Sequence, residues 1–163
     1  MDYPNGQLYI SEGGNQAQIS TIYIYNFNNQ QLEKFSFKES LEWTFSIAPR
    51  SKLFLYANIS GFLGKIDLDA EVITFLKDIK GNRIEIGESP INLLKNGNEL
   101  LFSFPDMRIA VYQIDTGTIM ILPNFDGFLF PLLAPSEEFI FADNGQVRPF
   151  YSTKFNFQPK INK

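Results

Sequence analysis

The chain contains no cysteine and no histidine. Without cysteine, disulfides, thiolate metal sites and thiol nucleophiles are excluded. Without histidine, the commonest metal ligand and the commonest general base near neutral pH are missing, and a Ser-His-Asp arrangement cannot be assembled. Lysine and arginine never form a run; Lys80, Arg83 and Lys95 stand apart. The net charge is −4, the wrong sign for the basic footprint of a general nucleic-acid binder. No segment reaches the roughly 18 consecutive apolar residues of a membrane helix, so neither nucleic acid nor membrane is an expected partner. Phosphate-cradling loops of the G-x-x-x-x-G-K-[ST] and G-x-G-x-x-G types are absent. These absences favour binding over catalysis, and neither a cofactor nor a metal is expected.

What the chain does have is 163 residues that are 44% hydrophobic and 15% aromatic, enough for one domain, 1–163, with a real core. Phenylalanine carries most of the aromatic load, 17 residues against 7 Tyr and 1 Trp. A short phrase recurs four times: PNGQLYIS from Pro4, PRSKLFLYA from Pro49, KNGNELLFS from Lys95 and PSEEFIFAD from Pro135. Their first apolar residues, Leu8, Leu53, Leu100 and Phe139, lie 45, 47 and 39 residues apart. A period of this size, filled with strand-like segments, marks stacked β-units.

Each unit reads as three or four short strands. The first holds Leu8–Ser11, Thr21–Asn26 and Leu32–Phe37, with a turn at the Asn/Gln-rich stretch 27–31. Both alternating faces of Ile22-Tyr23-Ile24-Tyr25 are apolar, which predicts a strand covered on both sides. The second unit holds Trp43–Ala48, Leu53–Asn58, Phe62–Leu68 and Val72–Leu76, with turns at Ser60-Gly61 and at Asp69-Ala70-Glu71. The third holds Ile91–Leu94, Leu100–Phe104, Ile109–Asp115 and Thr118–Leu122, with a hairpin turn at Asp115-Thr116-Gly117. The fourth holds Phe128–Ala134, Phe139–Ala142, Val147–Tyr151 and Phe155–Phe157, where Pro149 and Pro159 disfavour central strands. No helix is expected. The long connection Lys77–Pro90 reads as an inserted hairpin that turns at Gly81-Asn82, with Arg83–Ile86 as its strand.

The stretches SIAPRSKLFLYANISGFLGKIDLDAEVITFL from Ser46 and LLKNGNELLFSFPDMRIAVYQIDTGTIMIL from Leu93 resemble a WD40 or YVTN-type β-propeller repeat. The order strand, Pro/Asp/Gly turn, strand, loop, strand ending in Asp, Thr-Gly-like turn, strand matches that family. The Gly-His pair and the Trp-Asp dipeptide of true WD40 repeats are absent. The resemblance implies an all-β, propeller-like array of about four antiparallel four-stranded blades. It also implies that loops gathered on one face form the binding surface. The first unit opens at its second strand, so its innermost strand is missing. That predicts a small closed ring, self-association, or membership of a larger ring.

Asp67, Asp69 and Glu71 alternate at two-residue spacing, a pattern open to acid–base work or calcium but also to the solvated end of a hairpin. The calcium-loop pattern is not met, because Val72 stands where it needs Gly. Asn58-Ile59-Ser60 fits the N-glycosylation acceptor pattern. The sialidase-type box S-x-D-x-G-x-x-W is not formed around Trp43. Loop residues able to recognise a partner are Glu12, Asn15, Gln16, Arg83, Glu85, Asp106, Arg108, Asp126, Asp143 and Arg148. Each Asp or Asn among them also suits plain turn chemistry, bonding its own backbone.

The leading reading is a non-catalytic protein-interaction or scaffold module that uses these loops. A second is a glycan-binding or carbohydrate-active propeller, with Tyr3, Tyr23, Trp43 or Tyr151 stacking on sugars. A third is a structural subunit of a larger assembly. The expected partner is a protein or a second copy of the chain. The N-terminus MDYPNGQLYI opens acidic and polar, unlike a secretory leader, so a cytoplasmic location is expected.

Overall fold

The structure is a computed structural model that describes residues 6–12, 20–47, 54–87, 89–94, 96–123, 127, 131–133, 139–142 and 151–154. Among the described residues there are fourteen strands and no α-helix. They form four antiparallel sheets, each a plain meander. Sheet 1 joins β1 (Gln7–Glu12), β2 (Ser20–Asn26) and β3 (Gln31–Phe37). Sheet 2 joins β4 (Leu41–Ile47), β5 (Phe54–Ile59), β6 (Phe62–Asp67) and β7 (Val72–Phe75). Sheet 3 joins β8 (Asn92–Leu93), β9 (Glu99–Ser103), β10 (Ile109–Gln113) and β11 (Ile119–Ile121). Sheet 4 joins β12 (Leu132–Leu133), β13 (Phe139–Ala142) and β14 (Tyr151–Lys154).

Local chemistry sets the turns. Between β5 and β6 only Ser60 and Gly61 intervene, with φ of 53° and 86°. Positive φ at both central residues is what a tight two-residue hairpin requires, because its twist then matches that of the flanking strands. Between β2 and β3, Asn26 Oδ1 accepts from the Asn28 amide at 2.9 Å and Asn29 Oδ1 from the Gln31 amide at 3.1 Å. Asp67 Oδ1 accepts from the Ala70 amide at 3.0 Å, so this carboxylate shapes the β6–β7 turn. Gly117, φ 70°, closes the β10–β11 turn, and a Cβ there would lie 3.0 Å from the Lys77 carbonyl oxygen.

Apolar layers sit between successive sheets. Ile22, Ile24 and Phe37 of sheet 1 pack with Leu55, Ala57, Ile59 and Ile66 of sheet 2. Tyr56 and Leu63 of sheet 2 pack with Leu100, Phe102, Ala110 and Tyr112 of sheet 3. Leu101, Ile109 and Val111 of sheet 3 pack with Ile140 of sheet 4. In the middle of the stack the chain is therefore apolar on both faces: Leu100, Leu101 and Phe102 run consecutively and none is exposed. Polar ties cross the same gaps. Tyr112 donates its hydroxyl to the Lys77 carbonyl at 3.0 Å, and Asn92 Nδ2 donates to the Pro131 carbonyl at 2.9 Å.

The all-β expectation holds, with corrections. Sheet 1 has the three expected strands: β1 carries Leu8, the counterpart of Leu53 and Leu100, and answers to the second strands of sheets 2 and 3. Sheet 4 has three strands among the described residues, not the expected four. At the other end, β14 overlaps the expected strand Val147–Tyr151 at Tyr151 alone, while 147–150 and the expected strand Phe155–Phe157 lie outside the described residues. The first strand of sheet 2 starts at Leu41 rather than Trp43, with a register shift between Leu41 and Phe45. Arg83–Ile86 is not a continuous strand. Isolated bridges pair Arg83 with Lys77 of the insertion's own first arm and Glu85 with Phe62 of β6. The strand Ile22–Tyr25 is covered on one face only: Ile22 and Ile24 are buried, and Tyr23 and Tyr25 are half-buried.

Asn58, which opens the tripeptide that fits the glycosylation pattern, is 3% exposed. Its amide is used on both sides: Nδ2 donates to the Gly87 carbonyl at 3.2 Å, and Oδ1 accepts from the Gly61 amide at 2.9 Å. It ties the inserted hairpin to the β5–β6 turn. Removing one side of a buried hydrogen-bonded pair costs about 1–3 kcal/mol. Asn58→Ala should lower unfolding free energy by that order in a denaturant titration, and Asn58 should stay unmodified when the chain is passed through a glycosylating secretory host. A stability equal to that of the parent would contradict this role.

Candidate binding groove

Two hairpins from neighbouring sheets flank a groove of about 450 Å³. One is the insertion after β7, and the other is the β9–β10 turn. The groove is lined by Asp78, Arg83, Ile84 and Glu85 from the first, by Phe104, Pro105, Asp106 and Arg108 from the second, and by Ile119 of β11.

The insertion is held by its own acid. Asp78 Oδ1 accepts from the amides of Lys80 (2.9 Å) and Asn82 (2.8 Å), and Oδ2 accepts from Asn82 Nδ2 at 3.2 Å. Gly81, φ 86°, completes the turn. These bonds, the Asn82 amide first, hold the Asp78 carboxyl below its ordinary range. Beyond the turn, Ile84 and Ile86 point inward and are buried, so Arg83 and Glu85 alternate outward and are exposed. The Ile84 carbonyl accepts from the Leu63 amide at 2.8 Å and the Ile86 amide donates to the Gly61 carbonyl at 3.0 Å, which fixes this segment beside β6. Gly87 donates its amide to the Ser103 carbonyl at 2.9 Å, and a Cβ on it would come within 2.9 Å of the Phe104 carbonyl oxygen. Only glycine lets the two hairpins approach this closely.

The second wall is a tight reversal. Phe104 N–H donates to the Arg108 carbonyl and Met107 N–H to the Phe104 carbonyl, both at 2.9 Å, with Met107 at φ 67°. Asp106 Oδ1 accepts from the Arg108 amide at 3.2 Å, while Arg108 Nε and Nη2 each reach Asp106 Oδ2 at 2.7 Å. The Arg108 side chain, ahead of its backbone amide, holds the Asp106 carboxyl below its ordinary range. The pair is open to water, so its worth is geometric more than energetic.

The two arginines sit on aromatic surface. The Arg83 guanidinium lies 4.1 Å from the Phe75 ring centroid and 5.7 Å from that of Phe62, and those rings meet edge to face at 6.1 Å. The Arg108 guanidinium lies 5.3 Å from the Phe104 ring centroid. Such stacking uses the face of the guanidinium rather than its N–H groups, and those of Arg108 are engaged by Asp106.

Of the sequence candidates, the structure therefore brings Arg83, Glu85, Asp106 and Arg108 together. Glu12 ends β1 in sheet 1 and is not among the groove's lining residues, and Asn15, Gln16, Asp126, Asp143 and Arg148 lie outside the described residues. So does Tyr3; Trp43 and Tyr151 fall in β4 and β14, and Tyr23 is half-buried beside Lys34. Sequence reading missed Asp78 and the aromatic seat under Arg83. The Asp-x-x-Gly-Asn spacing of 78–82 was the available sign of the first. Nothing in the one-dimensional pattern pairs Phe62 and Phe75 with residue 83.

No family model matches the chain, and no curated protein does. Among solved structures the fold is similar to one described as the crystal structure of the computationally designed Ika4 protein. The TM-score is 0.56 at 11% sequence identity, over 91% of this chain and 86% of that one. At that identity the likeness concerns the backbone arrangement alone.

Both depressed carboxyls can be checked directly. In a carbon-detected NMR titration, Asp78 and Asp106 should protonate below about 3.9, the ordinary aspartate value. Arg108→Ala should return Asp106 toward that value and leave Asp78 unmoved. Since both folded values are lowered, whatever stability they add is present above the ordinary value and lost as pH falls through the folded one. An ordinary midpoint for Asp106 in the parent chain would remove the Arg108 clamp from this description.

Proposed function

We propose that this chain is a non-catalytic interaction module of β-propeller type that holds a protein partner in the groove between the inserted hairpin and the β9–β10 turn. The observation that carries this reading is the convergence of Arg83, Glu85, Asp106 and Arg108 on one groove. Its walls are rigid, since each turn is closed by its own side-chain hydrogen bonds. Its polar groups are pre-placed: Arg83 is seated on two rings, and Arg108 is pinned by Asp106. A binding site whose charged groups are already ordered loses little freedom on association. Arginine on an aromatic seat is also a common energetic centre of protein interfaces.

A binding role suits these carboxylates better than a catalytic one. A general acid or base near neutral pH works best with a pKa near the operating pH. Asp78 and Asp106 are moved the other way, by bonds that lock them ionised. The matching partner is a protein segment that offers a carboxylate to the outer edge of Arg83 and a cation to Glu85.

The test is a purified partner obtained by affinity capture and titrated by calorimetry against parent and variant chains. The double reversal Arg83→Glu/Glu85→Arg alters only exposed side chains. It should weaken binding at least about tenfold, which is about 1.4 kcal/mol, while Lys38→Glu, on an exposed residue outside this groove, should change little. Equal affinity of parent and reversed chains for every captured partner would reject the groove as the site.

A further inference from the structure

We infer that the groove takes its partner as an added β-strand: an extended segment pairs antiparallel with the open edge of residues 83–85 and carries a basic and an acidic residue two positions apart, the basic one first. The inference rests on the groove being the binding site.

The edge is set by how the insertion joins sheet 2. Glu85 stands opposite Phe62, and the bonds beside this pair run from the Leu63 amide to the Ile84 carbonyl and from the Ile86 amide to the Gly61 carbonyl. Arg83 stands opposite Lys77, with the bond beside it running from the Asp78 amide to the Asn82 carbonyl at 2.9 Å. In an antiparallel pair of this kind the flanking residues make the bonds, and the N–H and C=O of the opposed residue face the other edge. Accordingly, among the described residues no hydrogen bond reaches the backbone N–H or C=O of Arg83 or Glu85. Four main-chain groups along one edge are open, which is the template a further strand uses. Antiparallel addition suits them, because each of the two residues then exchanges both bonds with the single residue opposite.

Charge selects the occupant. Among the charged side chains that line the groove, Asp78 is used by its own turn, and Asp106 and Arg108 by each other. Arg83 and Glu85 have no ion pair among the described residues. Both are exposed, on the same face of an extended segment, about 7 Å apart along it. An antiparallel strand sets one residue opposite each, with its side chain on the same face. A carboxylate fits opposite Arg83, and an ammonium or guanidinium opposite Glu85. Because the added strand runs the other way, its basic residue comes before its acidic one. The residue between them falls opposite the buried Ile84, and the groove's lining of Phe104, Pro105 and Ile119 favours an apolar side chain there.

Two capped peptides of one composition, Thr-Thr-Lys-Val-Glu-Thr-Thr and Thr-Thr-Glu-Val-Lys-Thr-Thr, are titrated up to millimolar concentration into nitrogen-15-labelled chain. The basic-first peptide should shift the Arg83 and Glu85 amide signals, slow their hydrogen exchange, and bind at least about tenfold tighter than the acid-first one. N-methylation of its Lys and Glu, whose N–H groups would pair with the chain, should abolish binding, while N-methylation of its Val should not. The chain carrying Arg83→Glu/Glu85→Arg should prefer the acid-first peptide. Equal affinity for the two orders, or indifference to methylation at Lys and Glu, would overturn the strand pairing and leave the groove standing as a binding site. Unmoved Arg83 and Glu85 signals with both peptides would overturn it as well, whereas the groove itself stands or falls by the captured partner and the reversed chain.

Discussion

Among the described residues, each sheet keeps at least one apolar face dry by lying against a neighbour. A three- or four-stranded meander with apolar residues on both faces cannot satisfy both alone. Burying one Leu, Ile or Phe is worth about 1.5–3 kcal/mol, and every internal sheet contributes several such residues to each side. With no disulfide possible and no metal cluster among the described residues, the sheet-to-sheet layers must outweigh the ordering entropy. The polar groups drawn in with them are matched. Among the described residues no buried side-chain polar atom lacks a hydrogen-bond partner. Glu99, 7% exposed, is one example, receiving Asn96 Nδ2 at 2.7 Å and Gln113 Nε2 at 3.5 Å.

That constraint also explains where the groove lies. The insertion 77–90 could have stood away from the body as a solvated loop. Instead this stretch and the residue just after it place Ile84, Ile86 and Ile91 in the layer between sheets 2 and 3. Buried isoleucines at 84 and 86 force the alternating Arg83 and Glu85 outward at a fixed height. Tyr112 and Asn58 then fasten the segment from either side through the Lys77 and Gly87 carbonyls. The position of the groove wall is thus a by-product of core packing, and the charges on it are placed by buried residues.

The parts of the fold that could be read in the sequence were those set by local chemistry. Ser60-Gly61 and Asp115-Thr116-Gly117 mark turns because glycine tolerates positive φ, and both close hairpins as expected. The strands around them fall within a residue or two of their expected ends, since an alternating or doubly apolar run has few other uses. The four charged groove residues were legible as loop residues, but their convergence was not. It depends on how far sheet 2 is rotated against sheet 3, which no local pattern encodes. The stacking of Arg83 on Phe75 has the same origin, a register between an inserted segment and the last strand of its sheet. The two-sided covering expected for Ile22–Tyr25 was inferred from apolarity alone, and apolarity cannot say which neighbour is present.

The residues on the Tyr23 face of that strand's sheet differ in kind from their counterparts in sheets 2 and 3. Where sheets 2 and 3 have Ile66 and Ala110, sheet 1 has Tyr23; where they have Ile73 and Ile121, it has Lys34. Lys34 Nζ stands 5.7 Å from the Tyr23 ring centroid, so its charge is partly accommodated on an aromatic face. Tyrosine and a long lysine stem tolerate both burial and water, as an isoleucine row does not. Tyrosine serves inside the chain as well, where Tyr56 and Tyr112 are buried between sheets 2 and 3. The composition of the row Ile10–Tyr23–Lys34 therefore sets this face apart from its counterparts Leu55–Ile66–Ile73 and Phe102–Ala110–Ile121, which are apolar throughout.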